Sequence, residues 1–350
     1  MKRHLQIAIA AAGILAAHSA IAERAEWGRL LDPPGNYGFT RSVVRGETFE
    51  RPEYTIEYYR QANGPDTTQT VTMTIPKGTT GPFPAVVVPF YFPEAMLGYD
   101  PATGNPMPSF AEVAMMADLS RRGYVCISAS AYHLTYLKSQ KPQRDFSRWQ
   151  DAGAALVRDW PSWTGMGKLT FDTRLLVDIL EADARVDKAR IGIAGHSLGG
   201  KMALFAGATD PRIKAILASD PGVCWDRSNW NAVWYFGSRL AEMKASGLDI
   251  GGLLADFGCK PLCLLAGEYD GDWSETMLRK AYGHNATLGR LMVVNPRLGI
   301  HRPSKKSLES GYSFLDRHLK APERPTPARH QGASGEGART LRPAPPRRRQ

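Results

Sequence analysis

The sequence predicts an α/β fold in which a mostly parallel sheet of about eight strands is covered by helices on both faces. Strand-like and helix-like segments alternate along most of the chain, which is typical of parallel sheets with helical crossovers. Several strand-like segments are short apolar runs, as expected for strands that are buried on both faces. The chain has 350 residues and is 43% apolar, which is enough for one large core.

The first half of the predicted domain opens with a β-hairpin and continues into the sheet. Residues 55–59 and 70–75 alternate between polar and apolar side chains, as paired antiparallel strands do. The remaining predicted elements are a buried strand at 84–88, a helix at 111–122, a strand at 124–129 and a long connection with Trp and Gly at 131–168.

The second half alternates more regularly. It begins with a helix at about 170–184, in which Phe171, Leu175 and Ile179 share one face. A Trp-rich insertion starts at residue 224 and ends in helical material near 257. The other predicted elements are strands at 189–194, 213–218, 262–266 and 291–295, and helices at 201–206, 273–283 and 307–319.

One tight turn is the most informative motif. Residues 195–200 read G-H-S-L-G-G and lie between an apolar strand and a helix, the context in which a G-x-S-x-G serine becomes a nucleophile. Glycines two positions before and after Ser197 avoid a collision between a Cβ and the crossing strand and helix. The backbone N–H of Leu198 then points the same way as the serine and is a candidate oxyanion donor.

Acid and base residues follow the later strands. His301 comes after the strand at 291–295, and Ser197, an acid and then His301 is the chain order of α/β-hydrolases. His301 would take the serine proton as general base, and a buried carboxylate would hold its imidazole in the correct tautomer. Four other histidines are expected to be structural: His133, His284, His318 and His196, whose side chain should point away from Ser197.

From about Glu50 to Lys320 the chain resembles the α/β-hydrolase superfamily, and within it the dienelactone-hydrolase-like and acetyl xylan esterase-like serine hydrolases. The residues that carry the resemblance are G-H-S-L-G-G at 195–200, G-E-Y-D at 267–270 and G-I-H-R-P-S at 299–304. The resemblance implies that Asp270, the last residue of G-E-x-D, is the triad acid. Three neighbours remain alternatives: Glu268, Asp272 and Asp220.

The second oxyanion donor is expected in the loop after the strand at 84–88. Many relatives have a His-Gly pair there, whereas this chain has Pro89-Phe90-Tyr91. Proline has no N–H to donate. Alignment of the strand end favours the backbone N–H of Tyr91, with Phe90 as the alternative.

Aromatic residues in loops around the serine are the candidate substrate contacts. Four are predicted to bind substrate: Phe92, Trp225, Trp230 and Trp273. Aromatic faces suit sugar rings or apolar acyl and alcohol groups. The alternative is a hydrophobic lid whose aromatic side chains pack on one another.

The two ends of the chain differ in composition from the domain at 23–320. Residues 1–22 combine a basic start, a short apolar run and an A-x-A site, which predicts a secretory signal peptide and a periplasmic or secreted protein. Residues 321–350 contain seven arginines and two glutamates, a net +5 of the chain's +10, and are predicted to be a disordered Pro- and Arg-rich tail. Export permits disulfides, and Cys224 and Cys259 are the candidate pair, although strand geometry argues against the bond.

The sequence therefore predicts an exported serine hydrolase that cleaves a carboxylic ester through a Ser-His-Asp triad and an acyl-enzyme. An acylated carbohydrate or another small ester is the expected substrate, and neither a metal, a cofactor nor a nucleic-acid partner is expected. The alternatives are a peptidase, a dienelactone-type lactone hydrolase or a non-catalytic binding protein on the same fold.

Overall fold

Nine strands form one sheet within residues 22–320, which are the residues that the computed structural model describes. The strands are β1 (Val43–Glu50), β2 (Tyr54–Gly64), β3 (Thr67–Pro76), β4 (Phe83–Val87), β5 (Val125–Ala129), β6 (Val186–His196), β7 (Ile213–Ser219), β8 (Leu262–Leu265) and β9 (Leu291–Val294). Their order across the sheet is β1-β2-β3-β5-β4-β6-β7-β8-β9. The first four strands in this order pair antiparallel, and the six strands β4 to β9 run parallel to one another.

Helices connect the strands and cover the sheet. They are α1 (22–31), α2 (Pro93–Leu97), α3 (Met115–Arg121), α4 (Tyr132–Thr135), α5 (Phe146–Asp159), α6 (Gly165–Ala182), α7 (Leu198–Thr209), α8 (Arg239–Ala245), α9 (Ile250–Asp256), α10 (Asp272–Tyr282), α11 (His284–Thr287) and α12 (Lys305–Leu319). Short 3₁₀ turns lie at Pro108–Val113 and Trp225–Arg227. Within residues 22–320, each helix falls short of the length or apolarity that a bilayer crossing requires.

Two parts of the fold differ from the sequence prediction. β1 adds a strand to the predicted sheet of about eight; its side chains are mostly exposed, so they carry little of the apolar pattern that marks a strand. The predicted long connection at 131–168 contains α4, α5 and the start of α6. In α5, Asp145 caps the first turn by accepting a hydrogen bond from Ser147 N at 2.8 Å.

The parallel strands bring five loops to the carboxyl edge of the sheet. β4, β6, β7, β8 and β9 are neighbours, so the residues that follow them converge there. β6 and β7 are tied at this edge, where Ser197 N donates to Ser219 O at 2.8 Å. β7 and β8 are tied similarly, with Asp220 N donating to Leu265 O at 2.8 Å. Any site at this edge is therefore assembled from segments that are distant in sequence.

The amino-terminal helix and the insertion complete the core around α7. Trp27 on α1 is buried and meets Phe205 of α7 edge-on, with ring centroids 6.0 Å apart. From the insertion, Trp230 packs against the same Phe205 ring at 5.7 Å. The four cysteines are free thiols, so the candidate Cys224–Cys259 disulfide is not formed.

The predicted signal peptide at 1–22 and the predicted tail at 321–350 lie outside the described residues, apart from Ala22. The predicted domain boundaries, one domain at 23–320 with an insertion at about 224–257, stay a prediction.

Candidate active site

Ser197 occupies a sharp turn between β6 and α7. Its backbone lies at φ 56° and ψ −117°, a conformation that non-glycine residues rarely adopt. A Cβ on Gly195 would lie 2.2 Å from the carbonyl carbon of Gly199, and a Cβ on Gly199 would lie 2.0 Å from the Pro89 carbonyl oxygen. Both positions therefore require glycine because neighbouring backbone occupies the space.

His301 reaches Ser197 from the loop between β9 and α12. Its Nε2 atom lies 2.9 Å from the Ser197 hydroxyl oxygen. Ser304 accepts a hydrogen bond from Ser307 N at 3.1 Å and so caps α12 just after this loop. The structure thus brings together the predicted serine and histidine, which are 104 residues apart in the sequence.

The carboxylate that reaches His301 belongs to Asp220. Its Oδ2 atom lies 2.6 Å from His301 Nδ1, and its side chain is buried. Asp220 directly follows β7 and has φ 46°, a left-handed backbone conformation where the chain leaves the strand. Asp220 was an alternative at the sequence level, and the expectation that Asp270 takes this position is wrong.

Asp270 is turned away from the imidazole and bonds to a neighbouring loop. Its two carboxylate oxygens accept hydrogen bonds from Gly222 N and Val223 N, each at 2.7 Å, and Oδ1 also accepts one from Ser274 Oγ at 2.6 Å. Burial raises the pKa of Asp270, and these hydrogen bonds act in the opposite direction. Asp270 therefore connects the loop after β7 to the loop after β8 and makes no hydrogen bond to His301.

The G-E-Y-D segment contributes to the site through its backbone. Glu268 N donates to Asp220 Oδ2 at 3.0 Å, and Tyr269 N and Asp270 N donate to Oδ1 at 3.0 Å. Three peptide N–H groups thus orient the Asp220 carboxylate toward His301. The motif marked the right loop, and its backbone, rather than its last side chain, supports the triad geometry. Of the other two alternatives, Asp272 bonds to Asn295 and Arg297, and the Glu268 side chain makes no hydrogen bond to His301.

The loop after β4 packs directly on the Ser197 turn. The close approach of Pro89 O to Gly199 brings residues 89–91 beside the start of α7, where Leu198 is the first helical residue. Burial raises the pKa of Tyr91 to about 12, and the neighbouring Ser197 acts in the opposite direction. Its ring stacks on Trp149 at 4.5 Å and 22°, which fixes its orientation. Leu198 and Tyr91, the predicted oxyanion donors, therefore lie on facing segments at the serine.

Ser197 and His301 open into a cleft of about 510 Å³. Its aromatic wall consists of Phe90, Tyr91, Phe110, Phe146, Tyr235 and Tyr269. Its polar and charged lining consists of Arg144, His196, Lys201, Ser228, Asn229 and Arg302, in addition to the serine and histidine. The cleft accordingly combines aromatic faces with positively charged side chains, and the lining includes no carboxylate side chain from residues 22–320.

Two of the predicted substrate-binding aromatics are buried inside the insertion instead of lining the cleft. Trp225 donates from Nε1 to Leu248 O at 2.8 Å, and Trp230 donates from Nε1 to Gly222 O at 2.7 Å. Their rings meet edge-on with centroids 5.2 Å apart. These hydrogen bonds and ring contacts are those of a lid that packs on itself, the alternative considered from the sequence.

The other two predicted aromatics also lie outside the cleft lining. Phe92 is buried against Phe110, edge-on at 5.6 Å, so it supports a cleft residue from behind. Trp273 is 40% exposed on α10, where the Arg227 guanidinium lies 4.4 Å from its ring centre. The prediction that these four side chains contact the space around the serine is therefore wrong. The sequence shows which loops are rich in aromatic residues, but not which of their side chains face the cleft.

Lys201 is a functional candidate that the sequence reasoning missed. It lies on the first turn of α7, one turn after Ser197, and only 3% of it is exposed. Its ammonium group donates to Pro221 O and to Ser228 Oγ, and lies 4.3 Å from the centre of the Trp230 ring. Burial lowers the pKa of Lys201 to about 7, although Asp270 and Asp220 favour the charged form. A charged residue inside an otherwise apolar helix was the available signal.

Two buried histidines flank the site. His196 points into the cleft region, contrary to expectation: its ring centre lies 4.6 Å from that of His301, and Nδ1 lies 3.1 Å from Ser219 Oγ. Burial, with His301 nearby, lowers its pKa well below the usual range. His133 is buried beside Trp149, and burial lowers its pKa to about 3. Both imidazoles are therefore neutral at neutral pH. Residues 22–320 contain no cluster of three or more His, Cys, Asp or Glu side chains suited to a metal ion.

Sequence comparison finds a local similarity that includes the Ser197 turn. A family model described as glucuronyl esterase of fungi matches residues 166–237. The 4-O-methyl-glucuronoyl methylesterase 1 of Sodiomyces alcalophilus is 39% identical over 61 residues, which make up 16% of this chain and 12% of that protein. The chain thus matches only about an eighth of the length of that curated relative.

Structural comparison extends the likeness over most of the chain. A glucuronoyl esterase from Teredinibacter turnerae superposes with a TM-score of 0.60 at 17% identity, covering 84% of this chain and 82% of its own. An acetyl xylan esterase from a Paenibacillus species superposes with a TM-score of 0.52 at 16% identity, covering 83% and 96%. The α/β-hydrolase fold expected from the sequence is therefore confirmed; at these identities the likeness concerns the fold alone.

Proposed function

We propose that this protein is a serine esterase that hydrolyses a carboxylic ester of a carbohydrate through Ser197, His301 and Asp220. The observation that carries the proposal is the continuous hydrogen-bonded chain from the Ser197 hydroxyl through the His301 ring to the buried Asp220 carboxylate. A protein that only binds ligands has no need of this arrangement. The likeness to esterases, local in sequence and wide in fold, supports the same reaction class.

The proposed reaction starts with attack of Ser197 Oγ on the ester carbonyl carbon, while His301 Nε2 takes the hydroxyl proton. The tetrahedral intermediate collapses as the bond to the alcohol oxygen breaks, and His301 returns the proton to that oxygen. Water then attacks the acyl-serine, with His301 as base, and releases the carboxylic acid and the free serine. Asp220 holds the imidazole in the required tautomer and stabilises the imidazolium in both halves.

Negative charge on the carbonyl oxygen needs two donors. We assign the backbone N–H of Leu198 and that of Tyr91 to this oxyanion hole. The contact between Pro89 and Gly199, which brings the two segments together, supports this assignment. Removal of one such donor typically slows a reaction by ~10²–10³-fold.

The substrate assignment rests on the cleft and on the relatives. Aromatic side chains on the cleft wall provide flat faces for sugar rings, and hydroxyl and amide groups of Ser228 and Asn229 provide hydrogen bonds. The names of the relatives are those of enzymes acting on glucuronoyl esters and acetyl xylan. Export to the periplasm or the medium, proposed from the first 22 residues, would bring the enzyme to such polymers.

The proposal is tested by covalent labelling with a fluorophosphonate probe, followed by mapping of the labelled residue. The label is expected on Ser197 and is expected to be absent from Ser197→Ala. In parallel, the wild type should hydrolyse a chromogenic acetate ester and acetylated or glucuronoyl-esterified sugars. Labelling elsewhere, or turnover by Ser197→Ala at the wild-type rate, would reject the mechanism.

A further inference from the structure

We propose that Arg144 and Arg302 form a subsite for a carboxylate carried by the alcohol part of the ester. The inference rests on the proposed function, because it concerns the same cleft. It narrows the substrate class to esters whose alcohol part carries a carboxylate. A carboxylate-bearing sugar unit of an acidic polysaccharide is an alcohol of this kind, and its acylated form is the corresponding ester. The argument depends on where the two guanidinium groups lie, on their charge balance and on the direction in which the alcohol leaves.

The two arginines converge on one aromatic ring in the cleft wall. The Arg144 guanidinium carbon lies 5.2 Å from the centre of the Phe110 ring, and that of Arg302 lies 5.9 Å from it. Arg302 Nη2 also donates to Ser109 O at 3.0 Å, which fixes the side chain from the same 3₁₀ turn. Both residues line the cleft that holds Ser197. Arg302 is therefore anchored before any ligand arrives, and the exposed Arg144 side chain lies over the same ring.

The charge of the pair is not neutralised by the surrounding protein. Neither guanidinium forms an ion pair with a carboxylate of residues 22–320. For the half-buried Arg302 this contrasts with other half-buried arginines, such as Arg122, Arg185 and Arg212, which are ion-paired. Burial and the neighbouring charge of Arg144 lower the pKa of Arg302, and Glu112 and Tyr91 act in the opposite direction. Two like charges held near each other without a counter-ion favour an anionic ligand.

The catalytic geometry indicates which part of the ester faces the pair. His301 returns its proton to the departing oxygen, so the alcohol part must lie on the His301 side of Ser197. Arg302 directly follows His301 and lines the same cleft. An arginine fork matches a planar carboxylate better than a tetrahedral anion, because it can donate two parallel N–H bonds. These points together favour a carboxylate on the alcohol.

Binding to the intact ester tests the subsite separately from turnover. The probes are 4-acetoxybenzoate and 4-acetoxybenzamide, which have the same shape but differ in the charge on the alcohol part. Isothermal titration with Ser197→Ala, which cannot acylate, should show roughly tenfold tighter binding of the benzoate. That preference should shrink as salt is raised from low to physiological strength.

Replacement of the arginines should remove the preference. We expect Arg302→Gln and Arg144→Gln, each combined with Ser197→Ala, to bind the two probes with nearly equal affinity. The matched control is Arg279→Gln, which removes the same charge from the exposed face of α10 and should keep the preference. Using the ratio of the two affinities within each variant cancels any general loss of binding.

The outcomes separate the two proposals. Hydrolysis of the neutral 4-acetoxybenzamide by the wild type supports the esterase proposal whatever the arginines do. Equal binding of both probes, failure of both to bind, or tighter binding of the corresponding 4-acetoxybenzenesulfonate would overturn the carboxylate subsite. Failure of the wild type to hydrolyse any ester while the benzoate preference persists would overturn the esterase proposal and leave the anion subsite standing.

Discussion

The Oδ2 atom of Asp220 lies 2.6 Å from Nδ1 of His301. Asp220 follows β7, whereas the family resemblance implied Asp270, which follows the neighbouring strand β8. Both strands are parallel and end at the same edge of the sheet, so a carboxylate from either could in principle reach the imidazole. Here the acid after β7 makes the contact, and the acid after β8 supports the surrounding loops.

Asp220→Asn should nearly abolish esterase activity. An amide at this position favours the wrong imidazole tautomer, and the equivalent change in another serine hydrolase lowers kcat by ~10⁴-fold. The measurement is kcat on a chromogenic acetate ester. The matched control is Asp272→Asn, an exposed carboxylate paired with Arg297, which should keep wild-type kcat. A wild-type rate in Asp220→Asn would contradict the assignment of the acid.

Asp270→Ala should act mainly through stability. The substitution leaves Gly222 N and Val223 N without their buried acceptor, at a cost of about 1–3 kcal/mol in the free energy of unfolding. Urea denaturation measures this change. Below the unfolding transition, its kcat should fall less than that of Asp220→Asn. The opposite ranking of the two rates would restore Asp270 as the triad acid.

Gly199→Ala should damage both folding and activity. A Cβ at this position would lie 2.0 Å from Pro89 O, so the turn or the loop after β4 would have to move. Overpacking of this kind costs about 1–3 kcal/mol, and the movement would separate the two proposed oxyanion donors. The melting temperature and kcat report the two effects. Gly38→Ala, where an added Cβ has open space, serves as the control. Normal values of both quantities in Gly199→Ala would show that the contact is not required.

Lys201→Met should change how stability depends on pH. Burial lowers the pKa of Lys201 to about 7 in the folded protein, against 10.5 for the ordinary side chain. Between these values the unfolded chain binds more protons than the folded one, so this residue makes the free energy of unfolding rise with pH, by at most about 1.4 kcal/mol per pH unit. Below pH 7 the full cost of the buried charge is present.

The measurement for Lys201 is the difference in unfolding free energy between wild type and Lys201→Met at several pH values from 6 to 10. Taking the difference cancels the contributions of the other titrating groups. Wild type should gain on the variant as the pH rises above 7. A difference that is constant across this range would indicate that Lys201 keeps an ordinary pKa.

The serine and the histidine could be predicted from the sequence because each depends on a local pattern. The turn around Ser197 needs two glycines at fixed spacing, and His301 follows a short apolar strand at its carboxyl end. The acid depends on tertiary geometry instead. Asp220 and Asp270 follow adjacent strands, and residue type alone does not show which of the two carboxylates reaches the imidazole. Sequence alone therefore does not decide which of several carboxylates is the triad acid.

The aromatic insertion shows the same limit for the substrate cleft. The sequence places Trp225 and Trp230 in a loop near the serine, which predicts contact with substrate. In the structure each indole N–H donates to a backbone carbonyl instead. Phe110 and Phe146, which do line the cleft, lie just before the helix predicted at 111–122 and within the predicted connection at 131–168. The direction in which an irregular loop turns its side chains is set by packing partners distant in sequence, so residue type does not reveal it.

The support of Asp220 by peptide N–H groups has an evolutionary consequence. Because the backbone of residues 268–270 holds the carboxylate, the side chains of Glu268 and Tyr269 can vary while this support is preserved. The Tyr269 ring faces the substrate cleft and lies 4.9 Å from the His301 ring. Relatives that share this backbone could therefore diverge in substrate preference at this position while retaining the same reaction chemistry.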